Sequence, residues 1–170
     1  MALTDKLNRK YTITTSQSKE TIVNSFKERI EKANKETSWF TFKNINYKKI
    51  QVDDYRAIIK RDPIFYSPYG GIGFIILHFN AGNGSTEIVA DVKPLKWGIW
   101  ILVGFLIFFS VLLLWLVPGT GKYLMLIFAW IIVLTPAYVT ILVYGYRLKK
   151  YLELVLDDIG VQGELIRVHQ

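Results

Sequence analysis

Between residues 97 and 146 this chain of 170 residues carries one charged side chain, Lys122, and no histidine. Pro118-Gly119-Thr120-Gly121-Lys122 divides the stretch into apolar runs over residues 97–117 and 123–146. About 20 helical residues, rising about 1.5 Å each, cross about 30 Å of hydrocarbon. Each run therefore reads as a transmembrane helix and the pair as a hairpin with a very short turn. Trp97, Trp100, Trp115, Tyr123, Tyr144 and Tyr146 fall near the expected ends, where amphipathic rings anchor at the headgroups. Proton and ion pathways normally carry intramembrane ionisable groups, so these runs do not suit a pump.

Pro136 sits inside the second run beside Thr135, Tyr138 and Thr140. A proline removes one helical donor and frees a carbonyl that must find another partner in lipid, so a kink is expected there. Either the threonines satisfy that carbonyl, or Thr135, Pro136 and Tyr138 form a notch facing a larger membrane partner. Gly98, Gly104 and Ser110 permit close helix approach without forming a GxxxG pattern.

Lys93 and Lys96 precede the first run and Arg147, Lys149 and Lys150 follow the second, against one lysine in the turn. Basic residues stay on the cytoplasmic side, so both termini are expected there in a multi-pass protein. Residues 1–96 hold 16 basic and 10 acidic residues, hence +6 of the formal +7, which suits a domain lying near anionic headgroups. The first ten residues lack the apolar core of a signal peptide, so export by a cleaved signal is not expected. With no cysteine, disulfides and thiolate sites are excluded.

The charged residues divide the chain into a cytoplasmic α+β domain over residues 1–95, a membrane hairpin over 96–146, and a cytoplasmic amphipathic helix and tail over 147–170. Residues 11–16 alternate as a strand, and Ser18 is a good N-cap for a helix over 19–34. That helix places Ile22, Val23, Phe26, Ile30 and Ala33 on one stripe. From Ser38 to Val92 the period changes to two, giving strand candidates at 39–42, 48–52, 55–60, 72–79 and 86–92, mostly antiparallel. Ala81-Gly82-Asn83-Gly84 is hairpin chemistry. A loop of about ten residues between Pro63 and Gly71 carries Phe65, Tyr66 and Tyr69 as a contact surface. After the second run, Leu148, Tyr151, Leu152, Val155, Leu156 and Ile159 form an amphipathic stripe closed by Gly160, which is expected to rest on the sheet rather than on lipid.

No catalytic pattern emerges. Residues 118–123 superficially resemble a P-loop, but Leu116 stands where the first glycine is required and Tyr123 where Ser or Thr is needed. His78 and His169 have no ligand-spacing partner, and the pairs Asp53-Asp54 and Asp157-Asp158 splay. Lys43, Lys48, Lys49, Arg56, Lys60 and Arg61, interleaved with Tyr47 and Tyr55, read as a solvated sheet face or a lipid- or partner-facing one.

Residues 39–96, especially Gly71-Ile72-Gly73, Gly84-Ser85-Thr86-Glu87-Ile88 and the tryptophan-rich run that follows, resemble small uncharacterised bacterial membrane proteins with a cytoplasmic β-rich domain and a two-helix anchor. That resemblance implies a bacterial inner (plasma) membrane location and supplies no catalytic residues. The strand–helix–strands order also resembles part of a helix-grip, lipid-binding domain, with 148–159 in place of the long C-terminal helix. The expectation is a non-catalytic accessory or assembly subunit of an inner-membrane protein complex. The alternative is a membrane-anchored lipid- or small-ligand-sensing module. No enzyme activity, cofactor, metal or nucleic acid is expected; the expected partners are membrane lipid and a larger integral membrane protein or a second copy. The contact residues are Phe65, Tyr66, Tyr69, Thr135, Pro136, Tyr138, Lys48, Lys49, Arg56 and Lys60.

Overall fold

A computed structural model describes residues 8–35, 45–61, 72–82, 84–95, 97–116 and 118–168. The elements are β1 (Arg9–Thr15), α1 (Lys19–Lys35), a 3₁₀ turn (Tyr47–Lys49), β2 (Ile50–Val52), β3 (Arg56–Arg61), β4 (Gly73–Ala81), β5 (Thr86–Pro94), α2 (Trp97–Leu116), α3 (Gly121–Asp158) and β6 (Ile166–Val168). They divide into two units, one comprising Met1–Pro94 with Tyr144–Gln170, the other Leu95–Val143.

In the first unit the strands form one antiparallel sheet, ordered β2-β3-β4-β5-β1-β6. Alternation sets one face inward: Tyr11 and Ile13 on β1, Ala57 and Ile59 on β3, Ile75, Leu77 and Phe79 on β4, and Ile88, Ala90 and Val92 on β5. Two helical segments cover that face. Ser18 caps α1, its Oγ accepting from the Thr21 N–H at 3.2 Å, and Ile22, Val23 and Phe26 are buried beneath it. The second segment is the final part of α3, where Leu148, Tyr151, Leu152, Val155, Leu156 and Ile159 all join the core. As expected, this amphipathic stripe rests on the sheet; it is the end of one continuous helix.

Gly160, at φ +80°, ends that helix. Its left-handed backbone lets the Val161 N–H reach the Leu156 carbonyl at 2.9 Å. At the opposite end, Gly73 lies in a crowded crossing, where an added Cβ would stand 2.4 Å from the Lys93 carbonyl oxygen and 3.0 Å from Leu148 Cδ1.

Three points differ from the expectation. Lys48 and Lys49 lie in the 3₁₀ turn and not in a strand, because the Asn46 side chain accepts from the Lys48 N–H at 3.2 Å and pulls the backbone into a turn. Of the two expected transmembrane helices, α3 alone is long and apolar enough to cross a bilayer among the described residues. Trp100–Leu116, the part of the 20-residue α2 whose side chains are described, is a shorter apolar helix. β6, which pairs with β1 through Lys10, Tyr11 and Thr12, was not expected. The strand expected at 39–42 lies outside the described residues.

Within the second unit α2 and α3 are joined by a hydrogen bond. Trp130 Nε1–H donates to Ser110 Oγ at 3.1 Å, and the Ser110 hydroxyl donates to the Leu106 carbonyl at 2.6 Å. Lys122 Nζ donates to the Leu114 carbonyl at 3.2 Å, covering an orphan acceptor at the end of α2.

Candidate functional site

Among the described residues of the sheet unit, a polar cluster lies where α3 ends. Asp158 is the last residue of α3, next to carbonyls that have no helical donor. Arg29 of α1 meets it twice: Nη2–H donates to the Asp158 carbonyl at 2.8 Å, and Nε stands 3.5 Å from Oδ2. Tyr47 donates its hydroxyl to the same Oδ2 at 2.5 Å. Beside the cluster a groove of about 300 Å³ is lined by Ser25, Glu28, Arg29, Lys32, Asp158 and Ile159.

Burial first, and then the hydrogen bond to the Asp158 carboxylate and its charge, push the Tyr47 phenol well above its ordinary value. Tyr47 therefore remains a neutral donor throughout the physiological range. A general base or acid works best with a pKa near the operating pH, so this arrangement acts as a clamp and not as proton-transfer machinery. A second tyrosine supports it: Tyr151, fully buried, accepts from the Asn46 N–H at 3.2 Å through its hydroxyl. Glu20, in the first turn of α1, is held below the usual carboxylate range by its own backbone N–H and by Ser18.

The structure disperses the basic set. Arg56 and Lys60 project from the uncovered face of β3, whereas Lys48 and Lys49 are exposed on the 3₁₀ turn. Arg61 points the other way. Next in the alternation after Lys60, it is 5% exposed on the helix-covered face, with its guanidinium 4.1 Å from the Tyr151 ring centroid. Arg56 is held by Asp53 at 3.1 Å, and Asp54 faces Lys27 at 3.4 Å, so the Asp53-Asp54 pair splays as expected. Tyr55 is exposed beneath the ammonium of Lys19, 4.0 Å from its ring centroid. His78 is exposed on β4 opposite Arg56.

In α3, Thr135, Pro136 and Tyr138 lie within an unbroken helix. The Thr140 hydroxyl donates to the carbonyl of Pro136 itself at 2.8 Å. The carbonyl that loses its donor to proline is four residues earlier, at Ile132. Phe65, Tyr66, Tyr69 and Lys43 lie outside the described residues. Among the described residues no group of three or more His, Cys, Asp or Glu could hold a metal ion.

Sequence reasoning missed the roles of Asp158, Arg29 and Tyr47. The only local signal is an acidic residue at a helix end, where the dipole disfavours it unless a cation answers. Comparison with known protein families, with curated proteins and with solved structures finds no match.

Proposed function

We propose that the protein is a non-catalytic accessory or assembly subunit of a bacterial inner-membrane complex, with α2 and α3 inserted as a two-helix hairpin and both termini in the cytoplasm. The carrying observation is the apolar surface of the second unit. Trp100, Phe105, Phe108, Trp115 and Phe128 are each more than 60% exposed, with many aliphatic neighbours around them. Large contiguous apolar patches mark interaction or membrane surfaces, which supports the reading that lipid or partner helices cover this one. Counted over its full extent, α2 has 20 residues, a rise of about 30 Å. Lys122 alone carries charge between the helix start at Trp97 and the return at Tyr144.

The accessory reading is preferred over ligand sensing because Phe26, Ile59, Leu77, Ile88 and Tyr151 fill the space between helices and sheet, where a helix-grip pocket would need a cavity. Purification of the full chain in mild detergent tests it. A stoichiometric integral membrane protein, lost on replacing Tyr138 and Pro136, is the expected result. Recovery of this chain alone as a monomer would overturn the subunit reading, and release of the chain from membranes by alkaline carbonate would overturn insertion.

A further inference from the structure

The uncovered face of the sheet has a polarity along its strands. At the end where β5 leads towards α2, register places Lys60 of β3, Phe74 of β4 and Lys93 of β5 side by side in one row. The next row contains Ile58, Ile76, Asp91 and Lys10, in which Lys10 and Asp91 answer each other at 4.0 Å. At the opposite end of the same face the row is Asn80, Glu87 and Thr14, which carries no cation. Phe74 is 40% exposed, an aromatic ring standing outward on the face that none of the described helices of the sheet unit covers. Lys93 lies four residues before α2 begins at Trp97.

We propose that the Lys60–Phe74–Lys93 row is a contact for the anionic phospholipid surface, with the ring seated among headgroups and the two ammonium groups on phosphates. The contact rests on the membrane insertion proposed above. Three features select this occupant. Two cations flank an apolar ring, the pairing that suits the boundary between headgroups and acyl chains. Among the described residues, the carboxylate in the adjoining row, Asp91, is engaged by Lys10. Four residues of extended chain reach at most about 14 Å, a tether short enough to let Lys93 come within the Debye length of about 8 to 10 Å over which anionic lipid attracts basic side chains.

The absence of cysteine makes the test direct. Full-length Phe74→Cys and Asn80→Cys each carry a single thiol, which is reacted with a water-soluble maleimide in nanodiscs of phosphatidylcholine alone or with one-third phosphatidylglycerol. The expected result is at least a fivefold slower reaction at position 74 in the anionic discs, relieved by 0.5 M salt and by adding Lys60→Gln with Lys93→Gln, with position 80 unchanged. Equal rates at position 74 in the two lipids, from protein that resists carbonate extraction, would overturn the contact while leaving insertion intact. Protection found only in native membranes would assign the row to a protein partner and also overturn it. Carbonate-extractable protein would remove the insertion on which the proposal depends.

Discussion

Replacing Leu152 by alanine should loosen strands that lie far before it in the chain, β1 (Arg9–Thr15) and β5 (Thr86–Pro94). Leu152 is fully buried in the cluster that includes Tyr11, Leu77 and Ala90, so the substitution removes transfer free energy and leaves a cavity. Leucine-to-alanine changes at such sites cost about 2 to 5 kcal/mol. Full burial in a cluster that draws on β1, β4 and β5 places this one at about 3 kcal/mol, a large fraction of the roughly 5 to 15 kcal/mol that holds a domain together. That corresponds to an opening equilibrium on the order of 100-fold more populated. Hydrogen exchange of the full chain in nanodiscs, read peptide by peptide, reports it: the slowest amides of β1 and β5 should exchange about 100-fold faster. Glu153→Ala, one residue away at a side chain 47% exposed, should change them by less than about twofold, since surface substitutions usually stay within about 0.5 kcal/mol. If Leu152→Ala accelerates only the amides of α3 and leaves β1 and β5 as they were, the end of that helix is not part of the sheet's core and the reasoning fails.

Other consequences can be measured independently. Folding favours the protonated phenol of Tyr47, whose ordinary value is 10.0; its contribution is thus complete below pH 10 and falls as pH rises, because the unfolded chain releases the proton first. The loss should be about 1.4 kcal/mol per pH unit above pH 10, taken as the difference between wild type and Tyr47→Phe in denaturant midpoints across pH 8 to about 11.5. Gly73→Ala forces a Cβ to within 2.4 Å of a backbone oxygen at φ +153°; a cost of about 2 to 4 kcal/mol should appear as a lower thermal midpoint, whereas Gly84→Ala, with open space around it, should pay only for its backbone angle. Ser110→Ala removes the acceptor of the Trp130 indole N–H, weakening the α2–α3 pairing by about 1 kcal/mol; an unshifted Trp130 indole resonance in that variant would count against the bond.

Elements whose cause is local are legible in the residues themselves. α1 follows from Ser18 and the stripe Ile22, Val23, Phe26, and β4 and β5 follow from alternation around a glycine-rich return. What sequence could not supply is created by distance along the chain. The Asp158 clamp joins residues 129 and 111 positions apart, and nothing around Arg29 or Tyr47 announces their common partner. β6 has three residues, all exposed, too few to show a period, and exists because β1 offers an open edge. Arg61 reads as one more surface cation, since no local pattern distinguishes it from Lys60; only the strand's alternation, once its register is set, turns it inward onto Tyr151.

Because the sheet unit is closed by residues that follow the apolar segment, the order of synthesis matters. A ribosome releases β1 to β5 and α1 first, and at that moment Ile75, Leu77, Ile88 and Val92 lack the part of their cover that the end of α3 provides. Leu148 to Ile159 arrive only after α2 and the apolar part of α3 have been made. A chain arrested at that stage presents a half-bare sheet to chaperones and proteases, so the sheet unit cannot be completed until the apolar segment has been synthesised.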